Sequence, residues 1–380
     1  MPCGEVLRWE EARCFWQNAG RENSFLMVLF PCMRTIYDLN LKQMETMLAQ
    51  HGQKSYRAKQ LFTWLYRKRA ESFDCMSDLP KTLTSQLEQE YSLMPLKEID
   101  RQVAKDRTVK YLFELEDGAS VEAVLMHFHF GDSLCVSSQV GCNMGCTFCA
   151  SGLLKKQRDL TAGEMVGQVL YVQKELDKEE GRVDNIVIMG TGEPFDNYDN
   201  VMRFCEIVNS DHGLAIGARH ITISTCGIVP RIKDFAAGHY QYNLAVSLHA
   251  PDDELRRKLM PIDKAYPLDE LMNALKDYSE DNHRRLTFEY ILLHEVNDTD
   301  AHAKKLADLV RGMNAYVNLI PYNQVDEHGY KSADEKKALH FYDVLMKNGV
   351  KATLRQKHGD DIDAACGQLR AKHERNRQNQ

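Results

Sequence analysis

The sequence predicts an α/β protein: a partial or full α/β barrel with a small helical domain ahead of it. Three observations carry this. After residue 133, short apolar runs alternate with amphipathic stretches, as successive right-handed βαβ units around a parallel sheet would require. Before residue 95 the apolar residues recur at helical spacing. Between the two regions the pattern is extended. At 380 residues and 43% hydrophobic content, the chain can bury one large core plus a smaller one.

Residues 1–34 form an uncertain extension. They hold Cys3, Cys14 and Cys32 without periodicity and lack the basic-then-apolar order of a secretory signal. The expectation is a start assigned too far upstream, with Met27 or Met33 as the true start. Residues 35–100 read as a helical accessory domain, in which Ala58, Leu61, Phe62 and Leu65 recur at i, i+3, i+4 and i+7. Residues 101–132 form a β-hairpin extension, two strands turning at Asp117-Gly118.

The barrel is placed at 133–357. Its expected strands are Leu134–Val140, Asn185–Met189, His220–Ser224, Asn243–Leu248, Leu286–Leu292, Val317–Ile320 and Val350–Leu354. The first helix opens at Thr161 with a capping box to Glu164. Residues 358–380 are a loop with Cys366 and a basic tail. Polar and glycine residues gather at the strands' C-terminal ends, where such folds hold their chemistry.

No apolar run of about 18 residues or more is present, so no membrane helix is expected. The net charge of −7 is not that of a globally basic nucleic-acid binder. Charge is nonetheless segregated: residues 54–69 hold six Lys and Arg and no acid, and the tail at 370–378 is similarly basic. Either segment alone could be a solvated surface. Eleven cysteines, four of them between Cys135 and Cys149, suit a metal or redox site in a reduced cytoplasmic protein better than a disulfide framework.

The strongest signal is Cys142-Asn143-Met144-Gly145-Cys146-Thr147-Phe148-Cys149. Three thiolates on one tight loop after a strand can hold three irons of a [4Fe–4S] cluster and leave the fourth open. A closed zinc site needs a fourth ligand, and none follows at the usual spacing. In Gly190-Thr191-Gly192-Glu193-Pro194, glycines allow backbone to approach a ligand and Glu193 can accept from an ammonium group. This pattern resembles the radical S-adenosylmethionine (SAM) superfamily, a partial TIM-like barrel in which SAM binds the open iron and is cleaved to a 5′-deoxyadenosyl radical.

Two longer strings sharpen the resemblance, Leu134-Cys135-Val136-Ser137-Ser138-Gln139-Val140-Gly141-Cys142 and Gly359-Asp360-Asp361-Ile362-Asp363-Ala364-Ala365-Cys366-Gly367-Gln368-Leu369. The chain from about 35 to 370 is similar to the RlmN/Cfr family of radical SAM RNA methyltransferases. Read alone, Cys366 is an inert thiol, because three neighbouring aspartates disfavour its thiolate. The resemblance implies the reverse: Cys366 takes a methyl from one SAM, and the radical from a second abstracts hydrogen from it. It also implies Glu122 as proton acceptor, Cys135 as resolving thiol with a Cys135–Cys366 disulfide, and Gly192, Glu193, Ser224, Ser247, Leu248, His249 and Asn323 as cofactor contacts. In isolation Glu122 reads as a solvated strand residue, and His249 equally as a satisfied strand-end histidine or a ligand.

The implied substrates are 23S rRNA and tRNA, with an adenine exposed for modification. Arg57, Arg67, Lys68 and Arg69, interleaved with Tyr56, Trp64 and Tyr66, are expected to meet phosphates, as are Lys155, Lys156 and Arg158. Gly192-Glu193-Pro194 and Leu319-Ile320-Pro321-Tyr322-Asn323 look more like the C2-modifying RlmN branch than the C8-modifying, antibiotic-resistance Cfr branch. An external electron donor such as a flavodoxin or ferredoxin and a monomeric state complete the expectation. Outside catalysis, the alternative is an Fe–S RNA-binding protein without turnover.

Overall fold

The computed structural model describes residues 34–380 apart from 94, 95, 283, 326, 327, 356–361, 363–366, 379 and 380. Residues 1–33 of the proposed extension and Cys366 therefore lie outside the described residues. A ten-stranded sheet runs in chain order through β1 (Leu96–Val103), β2 (Val109–Leu115), β3 (Ser120–Phe128), β4 (Gly131–Val136) and β5 (Val183–Ile188). It continues through β6 (Ile221–Thr225), β7 (Asn243–Ser247), β8 (Leu286–Leu292), β9 (Ala315–Pro321) and β10 (Ala352–Leu354). Strands β4 to β10 pair in parallel, while β1 to β4 form an antiparallel meander. The outermost strands are β1 and β10, so the expected α/β barrel is a partial one.

Helices α1 (Leu41–Gln50), α2 (Tyr56–Phe62) and α3 (Lys81–Glu90) precede the sheet. Helices α4 (Ala162–Asp177), α5 (Tyr198–Asn209), α6 (Val229–Ala237), α7 (Asp253–Leu259), α8 (Leu268–Asn282), α9 (Asp300–Leu309) and α10 (Glu335–Lys347) connect its parallel strands, and α11 (Gln368–Gln378) follows it. The stripe Ala58, Leu61, Phe62 and Leu65 is fully buried as the periodicity required. Residues from Ile36 to Leu87 share one contiguous core with the sheet. The Gly163 amide of α4 donates to Asp38 at 2.7 Å, which ties this helical module to the first crossover helix.

Two differences from the sequence reading have plain causes. Strand β1, Leu-Lys-Glu-Ile-Asp-Arg-Gln-Val, buries only Leu96, and such a charged edge strand has no alternation to reveal it. The expected strand Leu134–Val140 is interrupted after Val136. There the Ser137 hydroxyl donates to the Glu122 carbonyl at 2.6 Å, and the Ser138 and Gln139 amides both donate to the Thr191 carbonyl.

Candidate active site

That interruption launches the cysteine loop. Gln139–Val140 pairs antiparallel with Arg158–Asp159, which closes the loop at its base. Gly141 turns the chain at φ +82°, and a Cβ there would lie 2.2 Å from the Lys155 carbonyl oxygen, so only glycine fits. The Cys142 amide donates to the Leu154 carbonyl at 3.0 Å and the Cys149 amide to the Cys146 carbonyl at 3.2 Å. All three cysteines line one cavity of about 340 Å³ at the C-terminal ends of the strands.

Burial pushes the Cys142 thiol up to about 12. It also holds Cys146 well above the ordinary thiol value, with Cys149 and Cys142 adding to the effect. Cys142 and Cys146 are therefore poor bare thiolates, and a cationic cluster is the partner that would relieve them. Among the described residues no three His, Cys, Asp or Glu converge as a single ion requires. In a cube each thiolate takes its own iron, so three cysteines on one loop are a donor set that fits a cluster.

The expected cofactor residues gather around the same cavity. Gly192, Glu193, Ser224, Ser247, His249 and Asn323 line it. At Gly192, φ is +116° and a Cβ would meet Gln139 Cβ at 2.7 Å. Leu248 is different: its side chain lies in the core, and its amide donates to the Glu289 carbonyl at 3.0 Å, so only its backbone is near the site. Glu193 is buried and already accepts from Phe195 N–H at 3.0 Å, Thr225 O–H at 2.7 Å and Cys226 N–H at 2.8 Å. Three of roughly four acceptor positions are filled. The residue therefore welds the loops after β5 and β6 and keeps about one lone pair for an ammonium group. His249 Nδ1 accepts from the Ile291 amide at 3.1 Å, which leaves the proton on Nε2. Burial and then Arg256 push its ring down to about 3. It is a satisfied strand-end histidine and a cavity wall at once.

Cys135 lies on β4 in the cavity wall. No disulfide exists among the described residues, and the expected pairing with Cys366 lies outside them. Glu122 is not a solvated strand residue: its side chain is 4% exposed and stands 3.0 Å from Lys110 Nζ. Its two oxygens accept the Gly367 amide at 2.6 Å and the Arg370 amide at 2.7 Å. The carboxylate thus meets the first turn of α11, where exposed amides favour an anion.

Comparison with known proteins matches the chain in two stretches. Residues 136–307 match the Radical SAM superfamily, and residues 35–93 match the "Ribosomal RNA large subunit methyltransferase N-terminal domain". A "Probable dual-specificity RNA methyltransferase RlmN" from Enterococcus faecalis is 55% identical, over 89% of this chain and 96% of its own length. A protein of the same description from Streptococcus thermophilus is 53% identical, over 89% and 88%.

The chain belongs to the RlmN family. A solved radical SAM methyltransferase from Sphaerobacter thermophilus superposes with a TM-score of 0.85 at 44% identity, covering 88% of this chain and 98% of that one. Superfamily membership implies an Fe–S cluster and SAM, RlmN membership implies an RNA substrate, and among the described residues no helix is long and apolar enough to cross a membrane.

Within this RlmN chain the basic segments differ from expectation. Tyr66 is fully buried, and Trp64 donates to Asp78, so of the three aromatics only Tyr56 is broadly exposed. Arg69 is paired with Asp177, Arg67 donates to the Asp211 carbonyl, and Lys68 sits over the Trp64 ring. Lys156 bridges Asp159 and Asp196, and Arg158 bridges Asp117 and Glu164. Part of this charge holds the fold, while Lys54, Lys59, Arg67, Lys68 and Lys155 stay exposed. Sequence reasoning also missed Lys110, Arg256 and Glu289. Arg256 is fully buried, pairs with Asp263 at 3.2 Å and donates to the Cys226 carbonyl at 2.7 Å. The available signal for Glu289 was a lone charge inside an apolar strand run, whereas Lys110 shares its run with Glu114.

Proposed function

We propose that this chain methylates C2 of an adenine in 23S rRNA, at the peptidyl transferase centre, and of an adenine beside the tRNA anticodon. The observation that carries this is the gathering of Cys142, Cys146, Cys149, Cys135 and the Glu193, Ser247 and His249 wall around one cavity, in a chain so close to relatives described as dual-specificity RNA methyltransferases. C2 lies between two ring nitrogens and is electron-poor, so transfer of an electrophilic methyl fails there and a radical route is required.

Cys142, Cys146 and Cys149 would hold the cluster, with SAM against Gly192, Glu193, Ser224, Ser247, His249 and Asn323. When bound, these groups supply one-electron chemistry, one of the two SAM used per turnover providing the methyl carbon and the other the hydrogen-abstracting radical. Cys366 is assigned as methyl carrier from its sequence string alone. Glu122 receives the ring proton, its charge balanced across 3.0 Å by Lys110. Cys135 then attacks the Cys366 sulfur, so that its bond to the transferred carbon breaks as the disulfide forms, the carbon takes up a proton to become the methyl group, and external reductant reopens the disulfide. A flavodoxin or ferredoxin supplies electrons, and the enzyme works as a cytoplasmic monomer.

The test is mass spectrometry of rRNA and tRNA nucleosides from cells with and without the gene. Loss of 2-methyladenosine supports the reading, whereas loss of 8-methyladenosine would move the chain to the Cfr-type reaction. Cys366→Ala protein should keep iron and bind RNA yet yield no methylated product; retained methylation excludes the Cys366 route.

A further inference from the structure

The cavity wall holds a carboxylate that none of these roles uses. Glu289 of β8 is paired in register with Ser247 of β7 on one side and Asn318 of β9 on the other. Register partners send their side chains to the same face of a sheet, and both Ser247 and Glu289 line the cavity. Glu289 is 4% exposed. Among the described residues its one hydrogen-bond donor is Asn318, which reaches Oε2 at 2.8 Å.

A buried carboxylate with a single donor is short of partners. Arg355 also lines the cavity, but its Nη2 lies against the Met126 sulfur at 3.3 Å. Its attraction and the Asn318 contact only offset part of the burial that pushes the Glu289 carboxyl up to about 7. The missing partner is therefore a donor brought by a ligand, and an uncharged hydroxyl suits a group this desolvated. The backbone adds position, since the Glu289 carbonyl accepts the Leu248 amide at 3.0 Å and so fixes the carboxylate to the Ser247–His249 turn. A carboxylate beside a serine is the chemistry that holds a sugar diol, as the acidic residue of dinucleotide folds holds a ribose hydroxyl.

We propose that Glu289, beside Ser247, accepts a hydrogen bond from a sugar hydroxyl of the adenosyl group of SAM and is a further cofactor-contacting residue. The assignment rests on the cofactor reading above, and its test separates the two. Anaerobically prepared, cluster-loaded protein is titrated with S-adenosylhomocysteine and with its 2′,3′-dideoxy analogue, as wild type and as Glu289→Gln. The expected result is about a tenfold loss of affinity for the ribose ligand in Glu289→Gln, the scale of a charge-assisted hydrogen bond, with affinity for the dideoxy ligand unchanged. Equal losses for both ligands would make Glu289 merely structural and overturn the proposal. No loss for either, or weakened RNA binding alone, overturns it as well. If wild type binds neither ligand, the cofactor reading itself falls. Should Glu289→Gln fail to retain iron, Glu289→Asp, which retracts the carboxylate, carries the same comparison.

Discussion

Lys110 and Glu122 show how far a residue's neighbours can decide its role. Both side chains are nearly inaccessible and stand 3.0 Å apart, and the carboxylate also holds two amides at the start of α11. Removing one member of a buried pair strands the other charge, which costs about 3–5 kcal/mol. Lys110→Met should lower unfolding stability on that scale, and Lys110→Met with Glu122→Gln should recover part of the loss, read by denaturant melts of all four proteins in the cycle. Glu289 obeys a different sign. Its carboxyl is pushed up to about 7 by burial, above the usual value near 4.3 in an unfolded chain. The native state therefore favours the protonated form, and the resulting stability is complete below about pH 4 and lost as pH rises through about 7. Glu289→Gln should match wild type near pH 4 and exceed it above pH 7 by up to about 3 kcal/mol. An excess that does not grow with pH would refute the assignment. The charge whose burial costs stability is the same one proposed to hold a sugar.

Helix α4 carries the clearest local instruction. Thr161 Oγ1 accepts the Glu164 amide at 3.2 Å, and the Glu164 carboxylate accepts the Thr161 amide at 2.9 Å, the reciprocal cap read from the sequence. Thr161→Ala should cost about 1 kcal/mol, measurable as a shift in denaturation midpoint, because the cap fixes the first turn of α4, which packs on β4 and β5. Elements of this kind were legible because their cause is local: a cap, an apolar stripe, an apolar run such as Leu286–Leu292, whose limits agree with the structure. Strand β1 and the break after Val136 were not. A polar edge strand is made by its neighbour, and the break is made by Thr191 and Glu122, residues distant in sequence. The meander they belong to continues the parallel sheet from β4, which a hairpin motif alone does not disclose.

At the scale of the molecule, the cysteine loop and the polar strand ends were readable because their chemistry is carried by residue type and spacing. The partners of each charge were not, since an arginine in the sequence looks the same whether it meets an aspartate or water. This bears on how a chain of net charge −7 engages RNA. Binding must come from a local patch rather than from the overall field, and only cations that the fold leaves exposed can release counterions from phosphate. Arg69, held by Asp177, and Arg158, held by Asp117 and Glu164, are already committed, whereas Lys54, Lys59 and Lys155 are exposed. Reversing Lys54, Lys59 or Lys155 to Glu should weaken RNA binding and reduce the slope of log affinity against log salt by about 1 for each phosphate no longer neutralised. Arg69→Gln should leave that slope unchanged and alter stability by no more than about 1 kcal/mol, as partly exposed ion pairs do. Salt titrations of binding to an RNA fragment carrying the target adenine distinguish these outcomes. If Arg69→Gln flattened the slope while the lysine reversals did not, the RNA surface would have to be placed on the ion-paired arginines, and Asp177 would have to yield its partner when RNA arrives.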